Sequence, residues 1–411
     1  MSAEWIYGSL GSLFDTVTGS TPPKSNPKNY GDDMLFVKPP ELKDGPIIET
    51  ADGLSHHGSL IARILPAGSI LVSCIGNLGK VGLAECPVAF NQQINAIKPS
   101  DKALPLFMFY QSQAPNFLSQ LENLASGTTV PIVNKSKFNR IQVAIPPIPE
   151  QQRIVVILDQ AFADIEKARA NAEKNLKNAR ELFDSSLKGI FQSRGKNWER
   201  VTLLDLLERN WIMSHLDGNH GGDYPRKDEF VEAGVPYISA KCISNSQVDM
   251  SKSKYLSEER ASGLRKGIAK NGDVLFAHNA TVGPVAILNT DREKIILGTS
   301  LTYYRCNKNY ILPEYLAQYM ISYEFTSQYT SIMRQSTRNQ VPITKQREFI
   351  HVIPPINEQK EIARELVGLS DQLQQLVIVY QQKLASLDEL KKSLLQKAFS
   401  GELTKTKGQA A

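Results

Sequence analysis

The sequence predicts an α+β fold written in duplicate. Two globular modules are joined by two long helices that form an antiparallel coiled coil, and a pseudo-twofold axis relates the halves. Three observations carry this. First, strings recur at long range. Ile145-Pro146-Pro147-Ile148-Pro149-Glu150-Gln151-Gln152 returns as Ile353-Pro354-Pro355-Ile356-Asn357-Glu358-Gln359-Lys360, 208 residues on. Ser185 to Phe191 matches Ser393 to Phe399 at the same offset. Gly68-Ser69-Ile70-Leu71 matches Gly272-Asp273-Val274-Leu275, and Gly79 pairs with Gly283, at 204. Val130-Pro131-Ile132 is set against Val341-Pro342-Ile343 at 211, and Trp5 against Trp198 at 193. Drifting offsets are what loop insertions produce, and the period is too long for a solenoid. Second, each copy opens with a mixed zone of short apolar runs broken by Gly, Pro and Asn. Third, each copy closes on an unbroken heptad run.

Residues 1–148 form the first module, with a strand at Ser69-Ile70-Leu71-Val72 and turn residues on both sides. Residues 149–195 form the first long helix. Its stripe runs Ile154, Leu158, Ala161, Ile165, Ala168, Ala172, Leu176, Ala179, Phe183, Leu187, Ile190, mainly three and four apart. Alanine at several of these positions lets a partner helix come close. Residues 196–356 form the second module, with a strand at Asp273-Val274-Leu275-Phe276 and a short helix from Pro313 to Met320. Residues 357–404 form the second long helix, striped by Ile362, Leu366, Leu369, Leu373, Leu376, Tyr380, Leu384, Leu387, Leu390 and Leu394. Pro149 and Pro355 stand just before the helices, where proline costs nothing. Residues 405–411 read as a flexible tail. Each rod of about 40 residues spans about 60 Å. A lone rod would leave its apolar stripe wet, so the two are expected to pack on each other. Two equivalent copies favour an antiparallel pair.

Composition excludes several classes. The 411 residues are 41% hydrophobic and 22% charged, which is neither a disordered chain nor a fibrous repeat. A net charge of +5 permits nucleic acid without demanding it. Acidic rod residues such as Asp159, Asp164, Glu166, Glu361 and Glu365 dilute any basic surface on the modules. Cys74, Cys86, Cys242 and Cys306 form no CxxC pair, so no zinc ribbon or disulfide scaffold is expected. No signal peptide or apolar span of about 18 to 20 residues is visible, which points to a cytoplasmic chain.

Catalytic signatures are missing. Gly76-Asn77-Leu78-Gly79-Lys80 is too short for a phosphate loop and reads as a turn between strands. No HExxH or GxSxG occurs, and His56-His57 read as exposed. The Pro-Pro strings lack the flanking Asn or Asp and the aromatic of an amino-methyltransferase. Glu358-Gln359-Lys360 resembles half of a nuclease motif, but no Asp lies between Glu324 and Glu358. The polar residues that stand out are contact groups.

They cluster in four loops, three of which are matched in the second copy. Ser20, Thr21 and Lys24 lie in a small, hydroxyl-rich loop suited to a phosphate backbone, with Arg226 and Lys227 as basic residues of the second copy. Asn77 and Lys80 are set against Asn279 and Thr281. Gln92 and Gln93 are set against Thr299 and Ser300; amides suit adenine edges. Thr128, Thr129 and Lys135 are set against Arg338, Asn339, Gln340 and Lys345. These are the candidate DNA-binding residues, with the lysines on phosphates and the Asn, Gln, Thr and Arg side chains on base edges. The copies agree in framework and differ in these identities, as two readers of different sequences would.

The Gly-Asn-Leu-Gly-Lys turn, Asn91-Gln92-Gln93-Ile94-Asn95-Ala96, Pro146-Pro147-Ile148-Pro149-Glu150-Gln151-Gln152-Arg153-Ile154 and the run Leu394 to Thr404 resemble the specificity subunit of type I restriction-modification systems. The resemblance covers about Trp5 to Thr404. It implies two target-recognition domains, each reading half of a split DNA site, and helices that set the spacer. It also implies that the helices dock two adenine-N6 methyltransferase subunits, which a restriction/translocase subunit joins. The chain itself would hold no cofactor and catalyse nothing; S-adenosylmethionine, ATP and Mg would belong to the partners. The divergence of the halves implies an asymmetric site. The alternative is a coiled-coil assembly scaffold without sequence-specific DNA reading.

Overall fold

The computed structural model describes residues 5–127, 129–192, 195, 197–244, 246–334 and 339–404. It divides into two compact units, Met1–Glu173 with Gln381–Ala411, and Lys174–Tyr380.

In chain order, the first unit contains β1 (Ile6–Ser9), α1 (Leu10–Leu13), β2 (Thr16–Thr18), β3 (Tyr30–Val37), β4 (Gly45–Ile47) and β5 (Gly53–Leu54). There follow α2 (His56–Ile61), β6 (Ile64–Leu65), β7 (Ile70–Ser73), β8 (Val81–Ala84), β9 (Val88–Phe90) and β10 (Ile94–Ile97). Then come α3 (Pro105–Gln113), α4 (Pro115–Asn123), α5 (Lys135–Phe138), β11 (Gln142–Ile145) and the long helix α6 (Ile148–Gln192). A five-stranded sheet has the order β2-β10-β7-β8-β4, a four-stranded sheet the order β5-β3-β9-β6, and β1 pairs with β11. All four residues of β7 are buried, as are those of β10. Burial on both faces explains why Ile70-Leu71-Val72 reads as a continuous apolar run rather than an alternating one. One face of the five-stranded sheet meets α3 and α4 through Ile70, Val72, Phe107 and Phe117. The other face closes on Val37, Leu65 and Phe90.

The second unit repeats the plan with β12 (Glu199–Thr202), α7 (Leu203–Glu208), β13 (Ile212–Asp217), β14 (Phe230–Val231), β15 (Val235–Ile238), β16 (Ile243–Ser244), β17 (Gln247–Val248) and β18 (Lys254–Leu256). It continues with α8 (Glu258–Ser262), β19 (Ile268–Ala269), β20 (Val274–Asn279), β21 (Thr281–Ile287), β22 (Ile295–Leu297) and β23 (Leu301–Cys306). It ends with α9 (Pro313–Ile321), α10 (Tyr323–Arg334), α11 (Ile343–Gln346), β24 (Ile350–Ile353) and the long helix α12 (Ile356–Phe399). The central sheet β13-β23-β20-β21 corresponds to β2-β10-β7-β8, and β12 pairs with β24 as β1 does with β11.

The repeated Pro-Pro-Ile-x-Glu-Gln string has a structural cause. Gln151 is fully buried. Its Oε1 accepts from the Leu104 amide at 2.8 Å, and its Nε2 donates to the carbonyls of Lys102 at 2.9 Å and Pro146 at 2.7 Å. Gln359 repeats this with Leu312 N–H at 2.9 Å and the Tyr310 and Pro354 carbonyls at 2.8 Å each. One glutamine thus welds the start of a long helix to the loop before a shorter one. Glu358 accepts the Trp198 indole N–H at 2.6 Å. The Glu-Gln-Lys string is therefore structural. Pro149 lies inside the first turn of α6, not before it, while Pro355 precedes α12. Proline in a first turn has no N–H to waste.

Within the first unit, the start of α6 lies against the end of α12: Ile154, Leu158, Phe162 and Ile165 share a core with Leu387, Leu394, Leu395 and Ala398. Arg169 pairs with Asp388 across the same seam. Within the second unit, Leu187 and Phe191 from the end of α6 meet Ile362, Ala363, Leu366 and Leu369 from the start of α12. The helices are thus antiparallel, as expected. Two stripe positions are corrected. Leu376 and Leu390 are 42% and 47% exposed, while Val377 and Lys391 are half-buried in their stead. The Lys391 ammonium sits 5.1 Å from the Phe162 ring. Isoleucine, valine and leucine crowd this stretch, so apolar spacing alone did not fix which of two neighbours turned inward.

One offset also changes. Val133 N–H donates to the Cys74 carbonyl, and Val341 N–H to that of His278, both at 2.8 Å. Val133 therefore corresponds to Val341, an offset of 208, not 211. By the same offset Lys345 answers Lys137, not Lys135.

Candidate nucleic-acid interface

In the first unit, stretches far apart in sequence meet at one end of the central sheet, where β2 and β7 finish and β8 and β10 begin. A chain of hydrogen bonds joins them. Gly19 N–H donates to Ile94 O at 3.1 Å and Ser20 N–H to Phe90 O at 2.9 Å. Thr21 Oγ1 donates to Gln92 Oε1 at 2.5 Å. Cys74 N–H donates to Gln93 O at 2.8 Å, and Gly76 N–H to Pro131 O at 3.0 Å. Asn95 clamps this edge from beneath: its amide accepts from Thr18 Oγ1 at 2.6 Å and donates to Val133 O at 3.0 Å. Gly19 permits the crossing, because a Cβ there would stand 2.1 Å from the Asn91 carbonyl oxygen.

Ser20, Thr21, Gln92 and Gln93 are thus brought together with reachable side chains. Asn77 and Lys80 stand beside them on the turn after β7, which Ser73 Oγ closes by donating to Asn77 O at 2.6 Å. They line a groove of about 420 Å³ with Pro39, Pro40, Leu42, Lys43 and Asp44. Gly76 and Gly79 carry positive φ of 77° each, which makes this string the expected turn. Lys24 and Thr129 are exposed on neighbouring loops. Lys135 departs from the group. It opens α5, and its charge acts on Asp15 at the opposite end of β2, whose carboxyl the Lys98 ammonium already holds below its usual range. Thr128 lies outside the described residues.

The second unit repeats the assembly. His278 N–H donates to Ser300 O at 3.0 Å and Ala280 N–H to Asn339 O at 2.9 Å, and Asn279 bridges Gln340. Asn279, Thr281, Thr299, Ser300, Asn339 and Gln340 therefore share one edge. Ser300 Oγ accepts from the Ala240 amide at 2.9 Å, so its oxygen is partly committed inside. Lys345 donates to Glu348 at 3.0 Å. Arg226 N–H donates to Glu229 at 2.6 Å beside the exposed Lys227. Arg338 lies outside the described residues.

Sequence reasoning missed the stretch Asp217-Gly218-Asn219-His220, which answers Thr18-Gly19-Ser20-Thr21. Gly218 was the available signal: a Cβ there would meet the Gly298 carbonyl carbon at 2.3 Å, the counterpart of Gly19 against Asn91. His220 Nε2 lies 2.6 Å from Asp217 Oδ2.

Behind this edge lies a buried polar cluster. Gln346 Oε1 meets His215 Nε2 at 3.1 Å, Thr302 Oγ1 at 3.0 Å and the Tyr304 hydroxyl at 3.2 Å. Gln346 Nε2 and His278 Nδ1 both lie on Val341 O, at 3.1 and 3.0 Å. Burial drives His215 down to about 3 and His351 to about 4, so both are neutral. Among the described residues, no group of three or more His, Cys, Asp or Glu is placed to hold a metal. The cluster tethers the 339–341 segment to the sheet rather than forming a reactive centre.

The chain matches the model of the "Type I restriction modification DNA specificity domain" twice, over residues 2–174 and 195–377. It is 35% identical to the type I restriction enzyme HindI specificity subunit of Haemophilus influenzae over 42% of this chain and 38% of that one. It is 23% identical to the type I restriction enzyme EcoKI specificity subunit of Escherichia coli over 97% of this chain and 89% of that one. A solved chain, described under complex assembly and conformational transition of the type I R-M system, superposes with a TM-score of 0.80 at 20% identity. It covers 97% of this chain and 98% of that one, and it shares the fold. The repeated edge of polar loops and the repeated helix-start glutamine lie inside the two matched segments, and the chain belongs to the type I restriction-modification DNA specificity family.

Proposed function

We propose that this chain is the non-catalytic DNA-reading subunit of a type I restriction-modification complex, with each unit reading one part of an asymmetric bipartite site. The observation that carries this is the convergence, in each unit, of separate polar loops on one end of the sheet, held by three backbone bonds that recur: Cys74 to Gln93, Gly76 to Pro131 and Val133 to Cys74 in one, His278 to Ser300, Ala280 to Asn339 and Val341 to His278 in the other. The backbone frame is common to both copies, and the side chains on it are not. Such an arrangement suits recognition: phosphate contacts position each unit and edge contacts to bases select the sequence. Lys24, Lys80, Lys227 and Lys345 are assigned to phosphates, while Lys135, which acts on Asp15 at the far end of β2, is left out of the set. Ser20, Thr21, Asn77, Gln92, Gln93, Thr128 and Thr129, with Arg226, Asn279, Thr281, Thr299, Ser300, Arg338, Asn339 and Gln340, are assigned to the reading edges.

In this reading residues 1–148 and 196–356 are the target-recognition domains, and 149–195 and 357–404 are the helices that set the spacer. The helices dock two adenine-N6 methyltransferase subunits, and a restriction/translocase subunit joins them in the cytoplasm. S-adenosylmethionine, ATP and Mg act on those partners. No helix among the described residues is long and apolar enough to cross a membrane.

Mapping N6-methyladenine across the genome of a host that carries this chain and its methyltransferase tests the proposal. The expected result is methylation at one bipartite motif with unlike halves, lost on deletion of this chain. Methylation that persists without the chain, or that follows no motif, refutes it.

A further inference from the structure

We propose that Arg63 reads a guanine edge in the half-site taken by the first unit, an inference that rests on the DNA-reading function above. Arg63 lies between α2 and β6, outside every loop that the sequence singled out. The fold brings it onto the reading edge: its backbone N–H donates to Ser20 Oγ at 3.0 Å, and its Nη1 donates to Thr18 O at 2.6 Å. Its side chain is exposed, and no carboxylate pairs with it among the described residues. A guanidinium held by one nitrogen on a backbone carbonyl has its plane set in advance, and the rest of its donor fork faces outward.

The neighbours point to the base. Ser20 Oγ already accepts from Arg63, which leaves its hydroxyl proton to donate outward. Gln92 has its carbonyl oxygen occupied by Thr21, which leaves its NH2 group. The patch formed by Ser20, Gln92 and Arg63 therefore offers donors. In the major groove guanine alone presents two adjacent acceptors, N7 and O6, whereas adenine sets a donor beside its N7. The second unit carries Arg265 and Lys266 on the corresponding segment between α8 and β19, but there Asn219 Nδ2 donates to Lys266 O at 2.8 Å and Asp217 is paired with His220. The contacts that aim Arg63 are replaced by different ones, so the same base preference is not expected in the other half-site.

The test uses the full-length chain assembled with its modification subunits, as wild type, R63Q and R63K, on randomised duplexes and then on the selected one. Arg63→Gln should weaken binding to the selected duplex about 5- to 150-fold, the range of a lost bidentate base contact. It should relax one G position in one half-site and leave non-selected duplexes unchanged. Arg63→Lys, which keeps the charge and loses the fork, should not restore the preference. Replacing that G with 7-deazaguanine, which removes N7, should weaken wild type and leave R63Q unaffected. A uniform loss on all sequences that R63K restores makes Arg63 a phosphate contact and overturns the proposal. An unchanged motif in R63Q, with the same thermal unfolding as wild type, also overturns it. If wild type selects no motif at all, the underlying reading fails, and Arg63 with it.

Discussion

Lowering the pH from 7.5 to 5.0 should destabilise the second unit and spare the first. His215 and His351 are both buried, with ring nitrogens Nδ1 and Nε2 respectively lacking any partner among the described residues. Burial lowers His215 from 6.5 to about 3 and His351 from 6.5 to about 4. The unfolded chain binds these protons as pH falls below 6.5, and the folded chain refuses them until pH approaches the lowered values. Stability is therefore full above that window and falls as pH drops through it. At pH 5 each histidine costs about 2 kcal/mol, so the pair costs about 4 kcal/mol of a typical 5 to 15 kcal/mol. His278 acts in the same direction, also through burial. Carboxylates with lowered pKa, such as Asp205 and Glu229, lose their contribution only below their ordinary values of 3.8 and 4.5, so pH 5 leaves them nearly unaffected. In the first unit His56 and His57 are exposed on the first turn of α2. The assay is urea unfolding followed by tryptophan fluorescence in two single-tryptophan variants, one keeping only Trp5 to report the first unit and one keeping only Trp211 to report the second. The Trp211 transition should fall by about 4 kcal/mol and the Trp5 transition by under about 1 kcal/mol. His351→Gln should halve the pH dependence at Trp211. Equal losses at both tryptophans, or an undiminished dependence in His351→Gln, would refute the reasoning.

Other expectations follow from the same structure. Gln359→Leu strands the Leu312 amide and the Tyr310 and Pro354 carbonyls, and should cost the second unit about 2 to 4 kcal/mol in urea unfolding, with Gln151→Leu doing the same to the first. Gly19→Ala drives a Cβ to 2.1 Å from the Asn91 carbonyl oxygen and should cost at least about 2 kcal/mol, while Gly189→Ala on the exposed face of α6 should be neutral or slightly stabilising in the same melts. Removing one heptad from each rod should shorten the tolerated spacer by about 3 base pairs, seven residues of rise against 3.4 Å per pair. The cut belongs at Lys174–Arg180 and Gln374–Tyr380, since Leu158, Phe162 and Leu366 are core residues of the units. An unchanged methylation motif would remove the ruler role.

Periodicity and repetition are chain-local properties, and they were legible without coordinates. The heptad stripes place α6 and α12, the repeated Pro-Pro-Ile strings place their starts, and the long offset makes the halves equivalent. The missing catalytic motifs left contact groups as the residues to explain. Tertiary structure decided everything that depends on which distant stretches touch. It put Ser20, Gln92 and Asn77 on one edge, and it sent Lys135 toward Asp15 instead. It added Asp217 to His220 and Arg63, which carry no motif. It half-buried Val377 and left Leu376 exposed, because a helix face is selected by its surroundings as much as by its own spacing. It also buried three histidines in one half of a duplicated chain. The sequence shows their identity, but only packing denies them water, and it is the loss of water that makes them neutral.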